Sequence, residues 1–195
     1  VGSWRELIRG IVVLTLVIEA AGALLLSFAF VPRLGFWPGI YSALFHSVSA
    51  FCNAGFSLFP DNLIGFRANA LVNVTVMGLI TLGGIGFLVI RELLDVGRKR
   101  LRRQKQPIRL SLHTKVVLLT SAFLIVYGAV GIGWLEMRGT GALAGMPFME
   151  GFWAALFHSV SARTAGFNSI DLSFFRSPTL FLIVFLMFIG ASPGS

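Results

Sequence analysis

Two stretches carry side chains capable of chemistry in an otherwise apolar chain. "ALFHSVSAFCNAGF" (43–56) brings together His46, Ser47, Ser49, Cys52 and Asn53, and "ALFHSVSARTAGF" (155–167) repeats the phrase with His158, Ser159 and Ser161. Paired histidines suggest a metal or a proton relay. Such a pair works only if both imidazoles face one point, and the plainer reading is a ring hydrogen-bonded to backbone or to a neighbouring helix. A nucleophile is the second chemistry to weigh. "GASPG" (190–194) fits G-x-S-x-G around Ser192, as an intramembrane serine protease would. That pattern belongs on a strand–turn–helix elbow; here Pro193 follows the serine inside an apolar segment, and a protease leaves the duplicated phrase unexplained. A single cysteine excludes an internal disulfide and a multi-cysteine metal site. No catalytic residue, resident metal or cofactor is therefore assigned.

The backbone offers a third chemistry. Each phrase ends in a short polar loop centred on a glycine, Gly55 or Gly166, which adopts angles closed to other residues and turns successive carbonyls to one side. A helix C-terminus carries partial negative charge. Carbonyls and helix C-termini converging at mid-membrane favour a dehydrated cation, whereas an anion would require helix N-termini or arginine.

The elements that would hold such loops follow from composition. The chain has 195 residues, 56% apolar and 12% charged, with mean hydropathy +0.85; a soluble domain carries about 25% charged residues. Segments at about 10–31, 69–90, 115–135 and 177–195 have the length to cross a bilayer. Two shorter ones, about 39–51 and 151–163, suit re-entrant or interfacial helices. Pro38 and Pro147 stand near their first turns, and Glu150 complements the second helix dipole. The first apolar run is too long for a signal peptide, contains Glu19 and lacks a small-residue cleavage site. The start at Val1 and the stop at "GASPGS", directly after an apolar run, lead us to expect an interior piece of a longer protein.

Residues 91–115 hold nine of the sixteen Lys and Arg, which makes that segment a cytoplasmic loop by the positive-inside rule. Arg5 and Arg9 then also lie inside, and both short helices dip in from the outer face. The basic run reads first as a solvated loop facing lipid phosphates, with a cytosolic partner open and nucleic acid excluded beside four spans. Each half of the chain reads span, short helix, glycine-ended loop, span, a parallel repeat about an axis along the membrane normal. Glu19, inside a span, is either a structural partner or a group on the ion path. Arg163 is expected to point away from that path and to pair with Glu19 or Asp171. "TLGGIGF" (81–87) allows close helix approach or bending, and "FIGASPGS" (188–195) breaks the last span.

The phrases "HSVSAFCNAGFSL" and "HSVSARTAGFNSID", with "GASPGS" in the later span, closely resemble the membrane subunits of the Trk/Ktr/HKT potassium transporter superfamily, of the KtrB/TrkH type. The resemblance covers essentially the whole chain. It implies an all-α integral membrane fold of span–re-entrant pore helix–span units around a pseudo-four-fold ion path, two of the four present. Residues 1–95 would be one pore repeat, 96–114 a basic cytoplasmic loop and 115–195 the next repeat, truncated in its last span.

The family's selectivity filter falls on Asn53, Ala54, Gly55 and Phe56, and on Thr164, Ala165, Gly166 and Phe167. Its gate loop would run through Gly190, Ala191, Ser192, Pro193, Gly194 and Ser195. Related sequences often have Asn where Cys52 stands. The resemblance implies potassium transport, with sodium as the competing cargo, through a multi-pass protein of the plasma or inner membrane. It also implies a homodimer in the lipid bilayer, docked on cytosolic nucleotide-binding regulatory subunits. Two repeats alone cannot close a four-sided filter. A non-conducting scaffold or sensor built on a decayed pore is the remaining alternative.

Overall fold

The computed structural model describes residues 4–101 and 110–190. Among these residues the protein is all-helical, with no strand: α1 (Trp4–Leu34), α2 (Phe36–Phe51), α3 (Ala70–Ile85), α4 (Phe87–Leu101), α5 (Leu112–Glu136), α6 (Phe148–Thr164) and α7 (Ser177–Ile189). At 31 and 25 residues, α1 and α5 are long and apolar enough to cross a membrane, measuring about 46 and 38 Å against a hydrocarbon core of about 30 Å. Only 17% of the most apolar α1 window and 28% of that in α5 is buried within the chain. Their remaining apolar surface therefore faces lipid or further protein.

The shorter helices reverse the usual soluble pattern. The buried face of α2 carries Gly39, Ser42, Ala43, His46, Ser47 and Ala50, while Trp37, Tyr41 and Leu44 are exposed. This i, i+3, i+4 stripe of small residues lets backbones approach closely, the arrangement by which helices pack where lipid removes the hydrophobic drive. A Cβ on Gly39 would lie 2.6 Å from the Val31 Cα, so α2 folds back directly onto α1. The reversal occurs at Gly35, at φ +88°. The main core joins α1, α2 and α3 to Phe157 and Val160 of α6, so the two halves share one interior.

Two expectations about the elements need correction. The second span does not continue to residue 90. It stops at Ile85, the chain turns by 105° at Gly86 (φ +85°), and α4 sets off in a new direction. Glycine tolerates that φ without a Cβ clash. Much of the expected basic loop is also helix, because 96–101 completes α4 and 112–114 opens α5. Leu, Glu, Lys and Arg in this stretch are good helix formers. Glu92 fastens α4 to α5, its carboxylate accepting from the Ser111 hydroxyl at 2.7 Å and from the Thr114 hydroxyl. The last span shows 13 described helical residues, which end at Ile189 with Gly190 at φ +61°. The remainder of the expected gate, Ala191, Ser192, Pro193, Gly194 and Ser195, lies outside the described residues, as does the protease reading of Ser192.

Candidate functional site

The duplicated serines hold matching places. Ser47 donates to the Glu19 carbonyl of α1 at 2.7 Å, and Ser159 donates to the Ile125 carbonyl of α5 at 2.7 Å. Three residues beyond each of those carbonyls stands a glycine, Gly22 or Gly128, where a Cβ would collide with the same serine hydroxyl. Ser49 donates to the Phe56 carbonyl at 2.8 Å, and Ser161 to the Phe167 carbonyl at 2.6 Å. Each phrase thus ties its helix to the preceding long helix with one serine and fixes the far end of its glycine loop with the other. Each such bond contributes about 1 kcal/mol.

The two helix ends differ by one residue, because nine positions separate His46 from Gly55 and eight separate His158 from Gly166. The surplus is absorbed at Asn53, which takes φ +54°. The Ala54 N–H bonds the Ser49 carbonyl (2.9 Å) and the Asn53 N–H bonds the Ala50 carbonyl (3.2 Å). This pair of bonds is a Schellman cap, with asparagine in the left-handed position usually held by glycine. At the other end, Ala165 and Gly166 both donate to the Ser161 carbonyl, at 2.9 and 3.1 Å, and Ala165 keeps right-handed angles.

The structure brings the two loops into contact. A Cβ on Gly55 would overlap the Ala165 carbonyl oxygen, while one on Gly166 would meet nothing within 4 Å. Asn53 links three elements when its amide is oriented to satisfy both ends. Its nitrogen donates to Thr164 Oγ1 at 3.0 Å and to the Ile80 carbonyl at 3.3 Å, and its oxygen accepts from the Gly84 N–H at 3.2 Å. Gly83 of α3 lies so close to the end of α2 that a Cβ would collide with the Phe51 carbonyl. Past the glycines, Leu63 N–H donates to the Asn168 carbonyl at 3.0 Å, and Asn168 N–H to Asn62 Oδ1 at 3.2 Å. Asn53, Ala54, Thr164, Ala165, Gly166 and Phe167 line one cavity of about 420 Å³. No N–H of the described residues donates to the carbonyls of Asn53, Ala54, Gly55, Thr164, Ala165 or Gly166.

The side chains that invited catalytic readings are engaged elsewhere. His46 donates from Nδ1 to the Ser42 carbonyl at 2.7 Å, because a carbonyl only accepts, and Nε2 accepts from the Ser57 hydroxyl at 2.9 Å. Its ring stacks on Phe59, whereas His158 packs edge-on against Phe175, its buried Nε2 without a partner among the described residues. No group of three His, Cys, Asp or Glu able to hold a metal occurs among the described residues. The Glu19 carboxylate faces Cys52 Sγ at 3.9 Å, behind the α2 terminus.

Arg163 corrects another expectation. It pairs with neither Glu19 nor Asp171; its Nη2 donates to Ser121 Oγ at 3.1 Å and to the Gly190 carbonyl at 3.4 Å. The C-terminus of α7 supplies the negative partner that a carboxylate was expected to supply. Asp171 instead caps the turn at 172–174 through the Ser173 N–H (2.9 Å), a bond that holds its carboxyl below the usual range.

Sequence reading missed Glu136. It is fully buried at the end of α5 and accepts from Ala142 N–H (2.6 Å), Arg176 N–H (2.9 Å) and the Thr179 hydroxyl. The available signal was a lone acid closing an apolar run just before the glycine-rich "RGTGALAG".

The family model for TrkH, described as a cation transport protein, matches residues 1–195. The chain belongs to the TrkH family. Curated proteins similar to this TrkH-family chain include Ktr system potassium uptake protein B of Vibrio alginolyticus, 43% identical over 192 residues, covering 98% of this chain and 41% of the relative. The protein of the same name from Bacillus subtilis is 38% identical over 195 residues, covering 100% and 42%. Potassium/sodium uptake protein NtpJ of Enterococcus hirae is 38% identical over 179 residues, covering 92% and 38%. The chain spans about two-fifths of the length of the curated relatives it matches.

Proposed function

We propose that this chain forms two adjacent walls of a potassium path, with α2 and α6 as re-entrant pore helices and the 53–56 and 164–167 loops as filter segments. The observation that carries the reading is the direct contact of the loops, Gly55 on the Ala165 carbonyl and Asn53 on Thr164, at the C-termini of two helices. Two helix C-termini and six carbonyls without an N–H donor make a surface suited to a dehydrated monovalent cation. Ser49 and Ser161 position the Phe56 and Phe167 carbonyls, each of which keeps a second lone pair for an ion. In this reading each half of the chain is one pore repeat, divided near residues 96–114. Two further walls complete the path in the intact multi-pass protein of the plasma or inner membrane. Potassium as the cargo is supported by the names of the relatives, potassium uptake for Ktr system protein B and potassium/sodium uptake for NtpJ.

The break of α7 at Gly190 supports a gate beginning there. A homodimer carrying cytosolic nucleotide-binding regulators belongs to the same proposal, with the basic 91–115 segment as the contact face; neutralising Arg98, Lys99, Arg100, Arg102 and Arg103 without loss of regulator binding would remove that face. The test of transport is uptake by the intact protein in potassium-starved cells, with potassium and sodium compared. Potassium-selective uptake is expected. A protein that binds no cation and carries no flux would instead be the scaffold. Intact cation uptake in Ser192→Ala, with no proteolysis detectable in the parent, would end the protease reading.

A further inference from the structure

A groove of about 880 Å³ runs between the N-terminal turns of α1 and one face of α4. The opposite edge of α4, Val89 and Ile90, packs on Val117 of α5. The α4 residues lining the groove are Phe87, Arg91, Leu94, Asp95 and Arg98, a single helical stripe. The lining is graded. Along α1 it passes from wholly apolar Val17, Leu14 and Val13 through Gly10 to a mixed end of Arg9, Leu7 and Glu6; along α4 it passes from Phe87, beside the Gly86 bend, to a mixed end of Arg91, Leu94, Asp95 and Arg98. The two apolar ends share a boundary, for the Phe87 ring tip comes 4.0 Å from where a Cβ on Gly10 would stand.

We propose that this groove binds an anionic phospholipid of the leaflet on the basic side of the protein, its phosphate between Arg9 and Arg91 and one acyl chain along Val13, Val17 and Phe87. The proposal rests on the membrane character of the chain and not on its ion path. Among the described residues Arg9 and Arg91 make no ion pair, and the Arg98–Asp95 contact is long, at 4.0 Å, and more than half exposed, which leaves Arg98 free to turn. A free phosphate would give the apolar end no role. A lipid matches both ends in order, and Val12 and Leu16, exposed beside the groove on α1, open that end sideways to the bilayer.

The measurement is lipid retention by the purified intact protein, read by native mass spectrometry after titration with phosphatidylglycerol or phosphatidylcholine. Phosphatidylglycerol should be retained preferentially. Arg9→Gln and Arg91→Gln should each weaken its retention about fivefold, the usual worth of one basic residue at an anionic surface. Val13→Trp, which fills the apolar end and leaves every charge, should weaken both lipids, and Lys99→Gln, outside the groove, should do neither.

Equal retention of the two lipids overturns the proposal. So does a Lys99→Gln effect matching that of Arg91→Gln, which would mean diffuse surface charge. Arginine variants that act while Val13→Trp does not would indicate a soluble anion or an acidic partner touching only the heads. Should the variants fail to fold, phosphatidylglycerol with a photoreactive acyl chain supplies the test on the parent protein. Crosslinks should fall within 10–17, and their absence there overturns the site.

Discussion

At the scale of single residues, the two glycines of the proposed filter are not equivalent. Both sit at positive φ, where alanine costs about 1–2 kcal/mol, but only at Gly55 would an added Cβ meet the other loop. Gly166→Ala is therefore expected to lower stability while keeping most potassium selectivity. Gly55→Ala should displace the Ala165 carbonyl and lower the potassium-to-sodium uptake ratio severalfold. Uptake ratios for the pair decide the matter, and a larger selectivity change in Gly166→Ala would contradict the geometry. Asn53 makes a second residue-scale prediction. A carboxylate cannot donate to Thr164 or Ile80, so Asn53→Asp should destabilise the protein, and Asn53→Ala with Thr164→Val should show coupling of about 1 kcal/mol in a double-mutant cycle. Independent effects would mean that the bond is idle. Little of this was legible beforehand. The serines were visible as a duplicated phrase, but their partners are backbone carbonyls, which no residue type announces.

At the scale of elements, the glycines of "TLGGIGF" signalled close approach or a bend without dividing the tasks. Gly83 provides the close approach to the end of α2, and Gly86 provides the bend. Gly86→Val is expected to reopen that angle; a spin-label distance from the first turns of α1 to α4 should lengthen, and an unchanged distance would assign the bend to packing alone. The partner of Arg163 was misjudged because a buried guanidinium suggests a carboxylate, and a helix terminus leaves no mark in the sequence. Its bond to the Gly190 carbonyl ties α6 to the end of α7. Arg163→Gln is expected to speed potassium uptake at an unchanged potassium-to-sodium ratio. A changed ratio at the same rate would place Arg163 in selectivity rather than in gating.

At the scale of the whole molecule, composition and run length made the all-helical membrane character legible, and the duplicated phrase marked where the two halves would resemble each other. How the halves interlock was not legible. Phe157, contributed by the second half, is fully buried in a core built mainly by the first. Phe157→Ala should cost about 3 kcal/mol or more, read as a lowered thermal midpoint of the purified protein. Tolerance of that change would mean that the halves merely abut.

The left-handed cap at Asn53 has a consequence for how the two halves can change. The one-residue difference between the two helix ends is confined to a single pair of backbone angles, so the loops still meet although their chain lengths differ. The halves are therefore no longer interchangeable parts. Transplanting residues 162–167 in place of 50–56 would leave the first half a residue short and carry Gly55 away from its contact. Each half can drift in sequence only within its own frame, and in the proposed path the unequal walls would place the ion off the geometric axis.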